Sequence, residues 1–309
     1  MKNIKFIVPG LLLLAVFFQS CEDLEEVKEP GFTITYNQVV KVGDIVEFSV
    51  ENAPNFLYLY SGDFGHEYQY KDRTNAEGKV TMTFKSAQKW GTNNNKAGTL
   101  TVWASTDYDG LGTPQALEQS TWVDVSDRFD IATAYSFDWT DAGIADITDL
   151  ATGDPIYFAF KFYAEDHSGT GHRQPEWRLD GFKVEMEATG APAPLTVATM
   201  STPGWDTVDV LGVVDTYNVG KWYVFSNYWR FRGSPSDYAN EDWLLTKSIN
   251  LTKVAPDKGV ALKTYSESLS SFSHTYTQPG VYTITVIGNN TTIDGSEEKI
   301  EEYIIEVTE

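Results

Sequence analysis

The stretch "FSHTYTQPGVYTITVIGNN", residues 272–290, decides the fold. Within it Tyr282, Ile284 and Val286 fall on one side and Thr283 and Thr285 on the other, the two-residue period of a strand with one buried face. Near the C-terminus "EEYIIEV" repeats the pattern with Tyr303, Ile305 and Val307. Far upstream, "DIVEFSVEN" sets Val46, Phe48 and Val50 against Glu47, Ser49 and Glu51. Helical periodicity is nearly absent, so the class is all-β. Residues 272–290 read as the closing half of a small sandwich, yet residues 200–270 offer no opening half. The candidate is "GDIVEFSVENAPNFLYLYSGDFG", residues 43–65.

These segments resemble the two halves of a polycystic-kidney-disease (PKD-like) repeat, an immunoglobulin-like sandwich. His274 and Tyr276 stand where that family has its His/Tyr strand, Gly280 at its turn and Tyr282 on its aromatic strand. The family's Trp-Asp-Phe-Gly-Asp turn is reduced here to "SGDFG", residues 61–65. The resemblance implies one discontinuous sandwich, residues 30–72 plus 258–309, carrying an insertion at 73–257. Domain insertion is tolerated where the two ends of a loop lie close together.

The insertion has strands of its own. "GTLTVWASTDYDG" alternates Leu100, Val102 and Ala104 against Thr101, Trp103 and Ser105, and "PIYFAFKFYAED" places Ile156, Phe158, Phe160 and Phe162 on one face. "WRLDGFKVEME" and "KWYVFSNYWRF" add two more. Five pieces, Ser105–Gly110, Trp122–Ser126, Phe158–Phe162, Leu179–Val184 and Asp242–Leu251, resemble the recurring motifs of cleaved-adhesin or choice-of-anchor jelly rolls. "EDWLLTKSINL" comes last instead of first, which implies a permuted, galactose-binding-like jelly-roll sandwich.

The N-terminus carries an address. Lys2 and Lys5 precede an apolar run, Phe6–Phe18, too short to span a bilayer comfortably. "FFQSC" resembles a bacterial lipobox, which implies cleavage after residue 20 and lipidation of Cys21, the one cysteine of the chain. An acidic tether, residues 21–29, carries "EDLEE" immediately after Cys21; such a run resembles the surface-export signal of Bacteroides-type lipoproteins. The whole resembles a family of such surface lipoproteins classed as a domain of unknown function, which implies an outer-membrane, lipid-anchored protein at the cell surface. The formal net charge of −21 is hostile to nucleic acid and to anionic head groups. The lipid, not charge, would then hold the chain to its membrane.

Chemistry is sparse. There is no G-x-S-x-G elbow, P-loop or dinucleotide fingerprint. His167 and His172, in "AEDHSGTGHRQPEW" with Glu165 and Asp166, read as a solvated hairpin loop rather than a metal site. His274 reads as a packed strand residue. Asp107 and Asp109 in "STDYDGLG" are candidate calcium ligands, since calcium takes carboxylate and carbonyl oxygens; the alternative is an Asx-type turn. Trp103, Trp122 and Trp243 read as core.

Sugars stack on exposed aromatic rings that join a flat apolar face to a polar edge. Trp90, Trp177, Trp229 and Tyr238 flank polar, Gly-containing stretches and form the candidate ligand site. The function expected is therefore non-enzymatic: a surface lipoprotein that binds polysaccharide or oligosaccharide, or assists its uptake beside an outer-membrane transporter. An adhesive protein–protein role is the alternative. A glycoside hydrolase, which needs a carboxylate pair across a cleft, is the third.

Overall fold

The computed structural model describes residues 26–91, 99–166, 173–212, 218–233 and 239–309. The chain is all-β, and strands from its two ends interleave in the same two sheets. The smaller sheet has the order Thr33–Thr35, Ile45–Glu51, Ser271–Thr275. The larger runs Val260–Lys263, Phe56–Tyr60, Gly280–Thr291, Ser296–Thr308, Val39–Lys41. Phe272 pairs with Phe48 and His274 with Val46, so residues 271–275 do find their partner more than two hundred positions upstream.

Alternation explains why these segments are strands. Val46, Phe48 and Val50 are buried while Glu47, Ser49 and Glu51 face water. They pack with Leu57, Leu59, Ile284, Val286, Ile305 and Val307 in one apolar core. Phe48 and Phe272 stack at 4.7 Å. The buried Tyr276 donates its hydroxyl to the Ser61 carbonyl at 2.9 Å. His274 is half-buried as a strand residue, with Nε2 2.5 Å from Asp63 Oδ2. Gly62 holds this turn with φ +86°, and a Cβ there would meet the Thr283 carbonyl oxygen at 2.7 Å. Only glycine suits both demands. Gly280 differs from expectation: it opens the strand Gly280–Thr291 and is not a left-handed turn residue.

Two antiparallel passes, residues 61–77 outward and 247–259 back, join this sandwich to the second. Asn75 bridges Lys253, Ala76 N–H donates to Thr252 O, and Lys258 N–H donates to Gly65 O. Arg73 clasps the passes together. Its Nε lies 2.6 Å from Asp257 Oδ1, and its guanidinium lies 4.5 Å from the Phe64 ring centroid and 4.6 Å from that of Tyr70. The buried Asp257 also accepts from Glu67 N–H at 2.9 Å.

In the second sandwich a five-stranded sheet has the order Trp205–Leu211, Asn240–Thr246, Tyr157–Ala164, Thr99–Ser105, Val123–Asp124. A seven-stranded sheet runs Trp222–Phe225, Tyr228–Phe231, Glu176–Ala188, Gly78–Lys89, Ser136–Asp141, with Leu195–Thr199 and Ala145–Asp146 added beside its two long strands. Between the sheets lie Phe84, Phe158, Phe160, Phe162, Phe182, Phe231 and Leu244.

The long strand Glu176–Ala188 changes phase on the way. Its pairing with Gly78–Lys89 shifts between Asp180 and Lys183, and Gly181 has φ +64°. This bulge lets odd-numbered Trp177 and Leu179 and even-numbered Phe182, Val184 and Met186 face the same core. Before the bulge, Glu176, Arg178 and Asp180 are left on the outer face.

The outer face of the five-stranded sheet is capped by the helix Pro114–Gln119, whose N-cap Thr113 accepts from Ala116 N–H. Under it Trp243 is buried with Tyr108, Leu117 and Leu245, and Trp103 and Trp122 pack against them. All three tryptophans expected in the core are therefore structural.

Candidate functional site: an aromatic and arginine face

The outer face of the seven-stranded sheet is unusually rich in rings. Trp90 is 64% exposed, Phe225 45% and Trp139 40%, and Phe137, Tyr223 and Tyr228 are half-buried beside them. Strand parity places them there. In Ser136–Asp141 Phe137 and Trp139 are two residues apart, as are Tyr223 and Phe225 in Trp222–Phe225. Trp222, of the opposite parity, is buried in the core.

The rings touch in two groups, and Arg178 spans the gap between Phe137 and Tyr228. Trp90 meets Phe137 edge-on at 5.9 Å, Trp139 meets Tyr228 at 5.7 Å, and Phe225 lies 5.7 Å from Tyr228. Cations are interleaved with them. Arg178 Cζ sits 3.4 Å from the Phe137 centroid and 5.2 Å from that of Tyr228, and Lys89 Nζ is 5.0 Å from Trp90. Arg230 lies 4.9 Å from Phe225. Beneath the arginines is Glu176, only 3% exposed, which takes Arg178 Nε at 2.9 Å on one oxygen and Arg230 on the other. A buried carboxylate needs such partners, and in return it fixes both guanidinium planes. Trp90 adds a conformational oddity, φ +72°, a left-handed backbone that costs a bulky residue about 1–2 kcal/mol. Strain of this kind is tolerated mainly where a side chain must be aimed.

Of the four aromatics singled out from the sequence, Trp90 lies on this face. Trp177 does not: it is 3% exposed and packs in the core, because the bulge at Gly181 turns it inward. Trp229 also points inward, opposite Leu179 in the ladder and 6.1 Å from Trp205. Tyr238 lies outside the described residues, as do Cys21, His167 and His172. Phe137, Trp139, Tyr228, Arg178 and Arg230 were missed. The signal was present in "SFDWTD", where both aromatic residues share one parity, and in a hairpin with rings on both parities.

Asp107 and Asp109 sit in the loop after Thr99–Ser105. Asp107 Oδ1 accepts from Ser105 Oγ and from Thr121 N–H, each at 2.8 Å, and Asp109 Oδ1 accepts from Leu111 N–H at 2.9 Å. The Ser105 hydroxyl, followed by Thr121, holds the Asp107 carboxyl below the usual carboxylate range. One oxygen of each carboxylate is thus spent on the loop. Two remaining oxygens are fewer than the six to eight that calcium takes, so main-chain carbonyls or water would have to supply the rest. Among the described residues no three His, Cys, Asp or Glu side chains converge on one point.

A family model matches residues 20–205, and its description is "Domain of unknown function (DUF5017)". The chain belongs to DUF5017. The matched span takes in Trp90, Phe137, Trp139, Glu176 and Arg178, while Tyr228 and Arg230 lie beyond it. No curated protein and no solved structure matches the chain. Among the described residues no helix is long and apolar enough to cross a membrane.

Proposed function

We propose that this DUF5017 protein is a non-enzymatic carbohydrate-binding protein, and that sugar rings stack on the outer face of its seven-stranded sheet. The observation that carries this reading is the pair of accessible ring groups, Trp90 with Phe137 and Trp139 with Tyr228 and Phe225, bridged by Arg178 on one sheet face. Rings held rigid by strands lose little freedom when a flat sugar face docks on them, and the neighbouring guanidinium and phenol groups offer hydrogen bonds to hydroxyls. Lipidation at Cys21 would hold the face outside the outer membrane, where a polysaccharide or oligosaccharide could be passed to a transporter.

The test is affinity electrophoresis of the chain from residue 22 onward through gels containing plant, mucin and microbial polysaccharides. At least one polymer should retard the protein. Trp139→Ala and Trp90→Ala should each weaken that retention about tenfold, the equivalent of ~1.4 kcal/mol, without lowering the melting temperature. Uniform mobility across the whole panel, or unchanged retention in the double variant, overturns the reading.

A further inference from the structure

We infer that the sugar carries an anionic group, a carboxylate or a sulfate ester, and that Arg178 and Arg230 receive it. This rests on the carbohydrate reading above and narrows it to acidic glycans. Arg178 and Arg230 are direct cross-strand partners, and like charges placed opposite one another oppose sheet formation unless they are neutralised. Among the described residues Glu176 is the acid that pairs with both, and Lys89 is its ladder partner on the other side. Two guanidinium groups thus share one buried carboxylate, with Lys89 in register beside it, within a chain of net charge −21. Further along the sheet, Asp180 and Asp141 both oppose Lys85 in the ladder.

The donor inventory points the same way. A guanidinium has five N–H groups in a fixed fork. Arg178 spends its Nε on Glu176, so its two terminal nitrogens are not the ones that carboxylate engages. Arg230 gives Glu176 one terminal nitrogen, and its buried Nε meets no partner among the described residues. The side chains are 20% and 18% exposed, so a ligand oxygen can reach them without displacing the fold. The Arg178 plane is already held against Phe137 at 3.4 Å. Its ordering cost is met before the ligand arrives, and paired N–H groups suit the two oxygens of a carboxylate or sulfate. A pyranose bearing such a group would lay its ring on Phe137, Trp139 or Tyr228 with the anion beside the fork.

The experiment compares four probes by isothermal titration: oligogalacturonate, the same oligosaccharide with its carboxyls reduced to alcohols, a sulfated galactan oligosaccharide, and its desulfated form. One acidic member should bind about tenfold or more tightly than its neutral twin; which pair responds tells carboxylate from sulfate. Arg178→Lys, which keeps a cation beside Glu176 but loses the fork, should erase the preference, so that the acidic member binds no more tightly than its neutral twin. Equal affinity within both pairs, with Trp139→Ala still weakening it, overturns the anion inference and leaves carbohydrate binding standing. Absence of binding to all four, together with uniform mobility in every polysaccharide gel, overturns both.

Discussion

Asp242 offers the sharpest test of the packing. It lies on Asn240–Thr246 opposite Phe162 on one side and Asp209 on the other, is 1% exposed, and its Oδ2 meets no hydrogen-bond partner among the described residues. Burial, with the charges of Asp209 and Glu241 adding to it, pushes its carboxyl from 3.8 up to about 9. The folded protein therefore holds a proton at neutral pH that the unfolded chain has released. Stability from this group is intact below pH ~4 and falls as pH rises toward 9, at up to about 1.4 kcal/mol per pH unit. At pH 7 the accumulated cost is about 4 kcal/mol. Asp242→Asn keeps the shape and cannot ionise in either state, so its stability relative to the parent should rise along the same slope. Urea unfolding at intervals from pH 5 to 9 measures this. Tryptophan fluorescence is a local reporter, since Trp222 Nε1 donates to the Asp242 carbonyl at 3.4 Å. A stability difference independent of pH would mean that the carboxylate is ionised in the fold, and the reasoning from burial would fail.

Other consequences follow from the joints of the structure. Arg73→Ala strands the buried Asp257 carboxylate and should cost about 3–5 kcal/mol, read as a lower urea midpoint and as faster proteolysis within residues 61–77. Gly62→Ala places a Cβ against the Thr283 carbonyl in a left-handed backbone and should cost about 1–3 kcal/mol in thermal unfolding. Asp107→Ala removes the acceptor of Ser105 Oγ and Thr121 N–H, so the melting temperature should fall in calcium and in chelator alike. A drop seen only in calcium, and shared by Asp109→Ala, would instead assign these carboxylates to a cation. The depressed carboxyl of Asp107 adds stability above its unfolded value of 3.8 that disappears as pH falls through its lower folded one.

Burial on one face is what a sequence displays most openly. Val46, Phe48 and Val50 alternate with charged or hydroxylated neighbours, so strand and inward face were readable together. Alternation alone does not say which strand pairs with which. That residues 272–275 complete a sheet with 45–51 came from the likeness of both segments to one kind of repeat, and His274↔Val46 is the pairing found. The inserted segment was read from alternating strands of its own, such as Leu100, Val102 and Ala104, and from the likeness of five of its pieces to jelly-roll motifs.

The ring-bearing face was hidden by parity. Around Trp222–Phe231 both faces of the hairpin are aromatic, so composition cannot say which side is wet. On Glu176–Ala188 a single extra residue decides the matter. Counted back from Phe182, Val184 and Met186, Trp177 falls on the outer side; counted across the bulge, it falls in the core, and Arg178 takes the outer place. The clue is Gly181, a glycine inside a long strand pattern, which commonly marks a bulge. Had the phase been allowed to slip there, Leu179 and Trp177 would have joined the apolar set. Glu176 and Arg178 would then have emerged as neighbours on the opposite face, where the arginine fork and the exposed rings meet.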